Sequence, residues 1–130
     1  MDSLDTLTLE YKSHDDDVLY VTVRASNGQF SGSATPWVEP GVLSWLARSL
    51  RDFPDVTPIE CQLGLNDLDH VILTFYTRGR ARHAWIRVQI FDDQQQSADL
   101  LLRTDSAVLD RSSKGLRRLE CRKQGVVSLT

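Results

Sequence analysis

Histidine and cysteine are scarce in this chain, three of one and two of the other, and no two of them stand at a metal-ligating spacing. Neither a CxxC nor an HExxH pattern occurs, so a zinc site has no sequence signature here. The glycines fit no phosphate-binding loop: Gly28 and Gly32 match neither the P-loop spacing nor a dinucleotide fingerprint. The run Asp15-Asp16-Asp17 is contiguous, without the alternating ligands and central glycine of a calcium loop, and Asp67 and Asp69 supply one alternate pair only. No apolar run approaches the ~20 residues of a membrane helix. The N-terminal Met1-Asp2-Ser3-Leu4-Asp5 is acidic where a secretory signal is basic. The expected compartment is therefore the cytoplasm, with Cys61 and Cys121 as reduced thiols. No metal, cofactor or membrane is expected.

What is present is globular. With 130 residues, 41% hydrophobic and 25% charged, the chain suits one domain with a sizeable core. The net charge of −3 conceals an asymmetry: residues 1–60 carry ten acids against four bases, and residues 61–130 carry eight acids against eleven bases. A mildly acidic chain lacks the clustered cations of a nucleic-acid binder, so a protein partner is the stronger expectation.

Alternation dominates the pattern. Leu7, Leu9 and Tyr11 oppose Thr6, Thr8 and Glu10, and Leu19, Val21, Val23 and Ala25 form the apolar face of a second strand. Asn27-Gly28 predicts a type I′ hairpin tip, with a strand returning from Gln29 to Trp37. Further strands follow: Ile59, Cys61 and Leu63 alternate with Glu60 and Gln62; Val71, Leu73 and Phe75 with Ile72, Thr74 and Tyr76; Ala84, Ile86, Val88 and Ile90 with Trp85, Arg87 and Gln89. Arg78 to Arg82 and Asp92 to Gln96 are polar turns, and Ala98 to Arg103 completes a meander.

Two segments change period. Leu43, Leu46, Ala47, Leu50 and Phe53 recur at helical spacing, with Pro40 placed to begin that helix and Pro54 to end it. Val108, Ser112, Leu116 and Leu119 stripe a second helix capped by Thr104 or Asp105, with Arg117, Arg118, Arg122 and Lys123 near its C-terminus. The expected fold is α+β: an antiparallel sheet of about six to seven strands with two helices on one face, in the order β-β-β-α-β-β-β-β-α.

No catalytic residues are assigned. His14, His70 and His83 fall in or beside turns, Cys61 on an apolar strand face, and Cys121 at a basic helix end. An alternative small-ligand or enzymatic site would have to converge on His70, His83 or Cys121 through the fold. The stronger binding candidates are Trp85 and Arg87, with Tyr20 and Arg24 as prospective neighbours, because all four lie opposite their strands' apolar faces. Tyr, Trp and Arg give large contact area for little lost entropy. A partner protein, or a second copy of the chain as a homodimer, would cover that face. A further alternative is a structural or interaction module.

One stretch carries a resemblance. Tyr20-Val21-Thr22-Val23, Asn27-Gly28-Gln29-Phe30-Ser31-Gly32, Val38-Glu39-Pro40 and Leu46 to Pro54 resemble small uncharacterised bacterial proteins. Some of those belong to the toxin-immunity group of the wall-associated (WapI-like) type. The resemblance spans residues 17–54. It implies no catalytic residues; it implies a cytoplasmic inhibitor that binds a cognate toxin domain.

The helical stripe gives the first test. Leu50→Asp puts an unpaired carboxylate inside it, and should lower stability by more than about 4 kcal/mol, or prevent folding, in a thermal melt. Near-normal melting would mean the wrong helix face has been assigned to the core.

Overall fold

The computed structural model describes residues 5–81 and 83–130. Arg82, the end of the expected Arg78–Arg82 turn, lies outside the described residues, as do Met1 to Leu4. The described chain is α+β, with nine strands in two antiparallel sheets and two helices. Strands β1 (Thr6–Asp15), β2 (Val18–Ser26) and β3 (Ser31–Ala34) form a first meander, and the short β4 (Trp37–Val38) also pairs with β2. Helix α1 (Val42–Arg51) follows. Strands β5 (Ile59–Leu63), β6 (His70–Arg78), β7 (His83–Phe91) and β8 (Ser97–Thr104) form the second meander, then α2 (Ser106–Arg122) and β9 (Val126–Ser128).

The expected single sheet is thus two. In the first, the order is β3-β2-β1-β9; in the second it is β5-β6-β7-β8, and no strand pairs across. Each meander closes its ladders through its own turns, and α1 separates them in sequence. The alternation holds in both. Leu7, Leu9, Val21 and Val23 from the first sheet share one core with Leu63, Leu73, Phe75, Ile86, Val88 and Leu102 from the second. At one corner the sheets nearly touch: a Cβ added at Gly32 would lie 3.2 Å from both Ala98 Cβ and Ile90 Cδ1. A side chain there would have to push its neighbours back by a few tenths of an ångström, so glycine suits this close approach of β3 to the second sheet.

Local details depart from expectation where turn chemistry intervenes. The Asn27-Gly28 hairpin forms, but its loop has four residues. Asn27 Oδ1 accepts from the N–H groups of Gln29 and Phe30 at 3.1 and 2.9 Å, an Asx turn in place of type I′. Pro36 interrupts the returning strand, splitting it into β3 and β4, because proline cannot donate to a ladder. Strand β9 carries only three residues, too few to show a period, yet it covers the edge of β1, pairing Leu9 with Val127. Thr104 Oγ1 and Ser112 Oγ donate to the carbonyls of Leu129 and Ser128 at 2.7 and 2.5 Å, so this edge is satisfied by side chains rather than left open.

The two helices are joined by a carboxylate. Pro40 precedes α1 without entering it; Gly41, in the left-handed region at φ 89°, is the N-cap and offers no capping side chain. No acid occupies the first turn of α1 either. Glu120 of α2 fills both roles. Its Oε1 accepts from Gly41 N–H at 3.0 Å and its Oε2 accepts from the Ser44 hydroxyl. A negative charge at a helix N-terminus also complements the helix dipole. At its own start α2 is capped conventionally, Asp105 Oδ1 accepting from Val108 N–H at 2.8 Å.

Glu120→Ala should therefore cost about 1–2 kcal/mol, the range for losing a helix cap. Urea unfolding would read it as a lower midpoint with unchanged slope. An unchanged midpoint would show that α1 does not depend on this carboxylate.

Candidate functional site

The second sheet turns alternate residues inward and outward. Its outward positions carry Ile72, Thr74 and Tyr76 from β6, Trp85, Arg87 and Gln89 from β7, and Asp99, Leu101 and Arg103 from β8. Both helices pack elsewhere, against each other and beside β5 and β9.

Trp85 is the centre of this face. Register sets Tyr76 opposite it on β6 and Arg103 opposite it on β8. Arg78 reaches in along β6, and the two guanidinium carbons lie 5.4 Å (Arg78) and 5.5 Å (Arg103) from the indole centroid. Each such contact contributes about 0.5–1 kcal/mol at exposed sites, enough to orient the ring without burying it. One step along the strand, Arg87 donates from Nε to Asp99 Oδ1 at 3.1 Å and from Nη2 to Asp99 Oδ2 at 2.6 Å. The hydrogen bond from Arg87 holds the Asp99 carboxyl below the usual range, and the Asp99 bond raises Arg87. With its pKa lowered on folding, Asp99 stabilises the fold above the ordinary aspartate pKa, and that contribution fades as pH falls through the lowered value. The planar two-bond geometry fixes Arg87 beside Trp85.

Tyr20 and Arg24, the prospective neighbours of Trp85 and Arg87, are not beside them. Trp85 and Arg87 are neighbours on this face, whereas Tyr20 and Arg24 stand on the outer face of the other sheet. There Tyr20 packs edge-on against Trp37, ring centroids 5.5 Å apart, and Arg24 Nη1 donates to Glu10 Oε2 at 3.1 Å. All four are outward-facing as expected; the division into two sheets separates the pairs. The residues that complete the site were missed. Arg78, Arg103, Tyr76 and Asp99 gather around Trp85 and Arg87 through cross-strand register, for which the sequence signal is equal distance from the turn: Tyr76 and Trp85 stand two residues outside the Arg78–His83 pair.

The alternative chemical groups do not converge. His70 pairs with Phe91 at one end of the β6–β7 hairpin, and His83 with Arg78 at the other. His70 is buried, its Nδ1 within 2.9 Å of the Leu68 carbonyl and its ring stacked on Phe91 at 4.6 Å. Cys121 is exposed on α2. Among the described residues no three His, Cys, Asp or Glu side chains are placed to hold a metal ion. A cleft of about 370 Å³ between the sheets is lined by Val18, Trp37, Val38, Val42, Leu63 and Leu65, and by none of these three groups. Among the described residues no helix is long and apolar enough to cross a membrane.

The two thiols give a test. Burial pushes the Cys61 thiol up from 9.0 to about 12. A thiol raised on folding stabilises the fold fully below pH 9, and the contribution is lost as pH rises from 9 towards 12. At pH 8 a thiol-reactive chromophore should therefore modify Cys121 alone in the native protein and both cysteines in denaturant. Rapid native labelling of Cys61 would contradict its placement in the core. No protein-family model, curated protein or solved structure matches this chain, so the site rests on its own geometry.

Proposed function

We propose that this chain is a non-catalytic binding protein whose partner, a second protein, docks on the outer face of β6–β8 around Trp85. One observation carries the reading: an indole flanked by two arginines on the outward face of the second sheet. Tryptophan and arginine are the side chains that most often dominate interface energy, and a ring already held in place loses little entropy on binding. Arg78 and Arg103 give the surface around the ring a positive character, since Arg87 is already matched by Asp99. The partner surface complementary to this is apolar at its centre and carboxylate-bearing around it.

Within this reading, the resemblance of residues 17–54 to toxin-immunity proteins supports an immunity-type inhibitor, with a bacterial toxin domain as the partner and the cytoplasm as its place of action. The resembling segment builds β2 through α1, away from the Trp85 face, so the two supports are independent.

Trp85→Ala separates the possibilities. The variant should melt close to the wild type while affinity for a toxin-like product of the neighbouring gene falls by about 30-fold or more, the effect of a central interface anchor. Calorimetry on the purified pair and protection of cells expressing the toxin would read it. Collapse of the fold would make Trp85 a core residue and remove this surface. Loss of self-association in the variant would make the occupant a second copy, and a neighbour that neither binds nor is neutralised would end the immunity reading.

A further inference from the structure

Helix α2 bears a stripe of cations that the fold does not use. Arg111, Lys114, Arg118 and Arg122 recur at spacings of three, four and four residues, so they share one side of the helix, and all four are exposed. None of them is in an ion pair among the described residues.

Gly115 interrupts that stripe and makes a groove of it. A Cβ at this position would lie 3.1 and 3.2 Å from the two methyl carbons of Val127, so the helix packs tightly against β9 at this glycine. The resulting hollow, of about 350 Å³, runs between α2 and β9. Arg111 and Arg118 stand four residues before and three after the glycine, one on either side of it. Val108, Val126 and Val127 give the hollow its apolar lining, and Val126 is 59% exposed. The Ser112 hydroxyl is already committed, donating to the Val108 and Ser128 carbonyls. Ser128 and Thr130 also line it, and two guanidinium groups stand beside the valines.

The length of the cationic track limits what it accepts. Lys123 Nζ donates to the Asp16 carbonyl at 3.4 Å, which brings the turn bearing Asp15, Asp16 and Asp17 to the C-terminal end of α2. A long polyanion following the stripe would run into three carboxylates. Among the described residues no aromatic side chain lines the groove on which a base could stack. A short ligand that combines carboxylates with an apolar side chain meets neither obstacle.

We propose that the α2–β9 groove binds an acidic peptide segment of a partner protein, an apolar residue resting on Val126 and Val127 while flanking carboxylates pair with Arg111 and Arg118. Arginine suits this role because its planar fork grips a carboxylate through two parallel bonds. The proposal uses no residue of the Trp85 face and stands or falls separately from the reading given above.

Fluorescence anisotropy of a fluorescein-labelled peptide of alternating glutamate and valine, titrated with the full chain, tests it. Binding should saturate, weaken as salt rises, and fall at least about tenfold in the double variant Arg111→Glu, Arg118→Glu. Both side chains are exposed, so the variant's melting temperature should match the wild type. Val126→Asp should weaken binding as well. No saturable binding, wild-type affinity in the double variant, or equal binding of a matched lysine–valine peptide would each overturn the proposal. So would tighter binding of a single-stranded oligonucleotide through the same arginines, which would make the groove a nucleic-acid site.

Discussion

Burial of two apolar sheet faces against one another is the constraint on which the remaining structure depends. Each meander satisfies its own backbone hydrogen bonds, but a single sheet with one oily face is not stable in water. The inward residues of β1, β2 and β3 therefore meet those of β5 to β8 in one core, and the helices contribute Leu43, Leu46, Leu50, Leu109, Leu116 and Leu119 to it. Close packing makes small volumes decisive. Gly32 suits the corner contact between the sheets, and α2 packs tightly against β9 at Gly115.

Joining the halves costs polar groups their water, and the fold answers with long-range side-chain bonds. Glu120 satisfies the start of α1 from a helix about eighty residues later in the chain, with its Oε1 on Gly41 N–H and its Oε2 on the Ser44 hydroxyl. Thr104 and Ser112 do the same for the last strand. Among the described residues no buried side-chain nitrogen or oxygen is left without a partner. Polar residues that look incidental in the sequence thus act as clasps between elements.

The same alternation that fills the core displays the surface. Because successive strand residues point to opposite faces, an inward Ile86 requires outward Trp85 and Arg87. Those outward residues are organised by their neighbours across the sheet: arginines over the indole, and a two-bond pair between Arg87 and Asp99. A face arranged in this way needs few adjustments on contact with a partner. The histidines and cysteines among the described residues, by contrast, are dispersed over separate elements.

Periodicity by itself determined most of the core, both helices, the identity of nearly every strand and the outward orientation of Trp85, Arg87, Tyr20 and Arg24, but it marked Val108 where Leu109 is buried and left out Val127 and Leu129. These are short-range properties: a period of two or of 3.6 residues, read over one element, decides which side chains turn inward. Tertiary structure alone decided the rest. That the strands divide into two sheets, that Tyr20 and Arg24 stand apart from Trp85, that Arg78 and Arg103 converge on one indole, and that Glu120 caps a helix it does not belong to are all consequences of pairings between distant segments. Such pairings are set by which apolar faces pack best in three dimensions, and a local pattern holds no record of that choice.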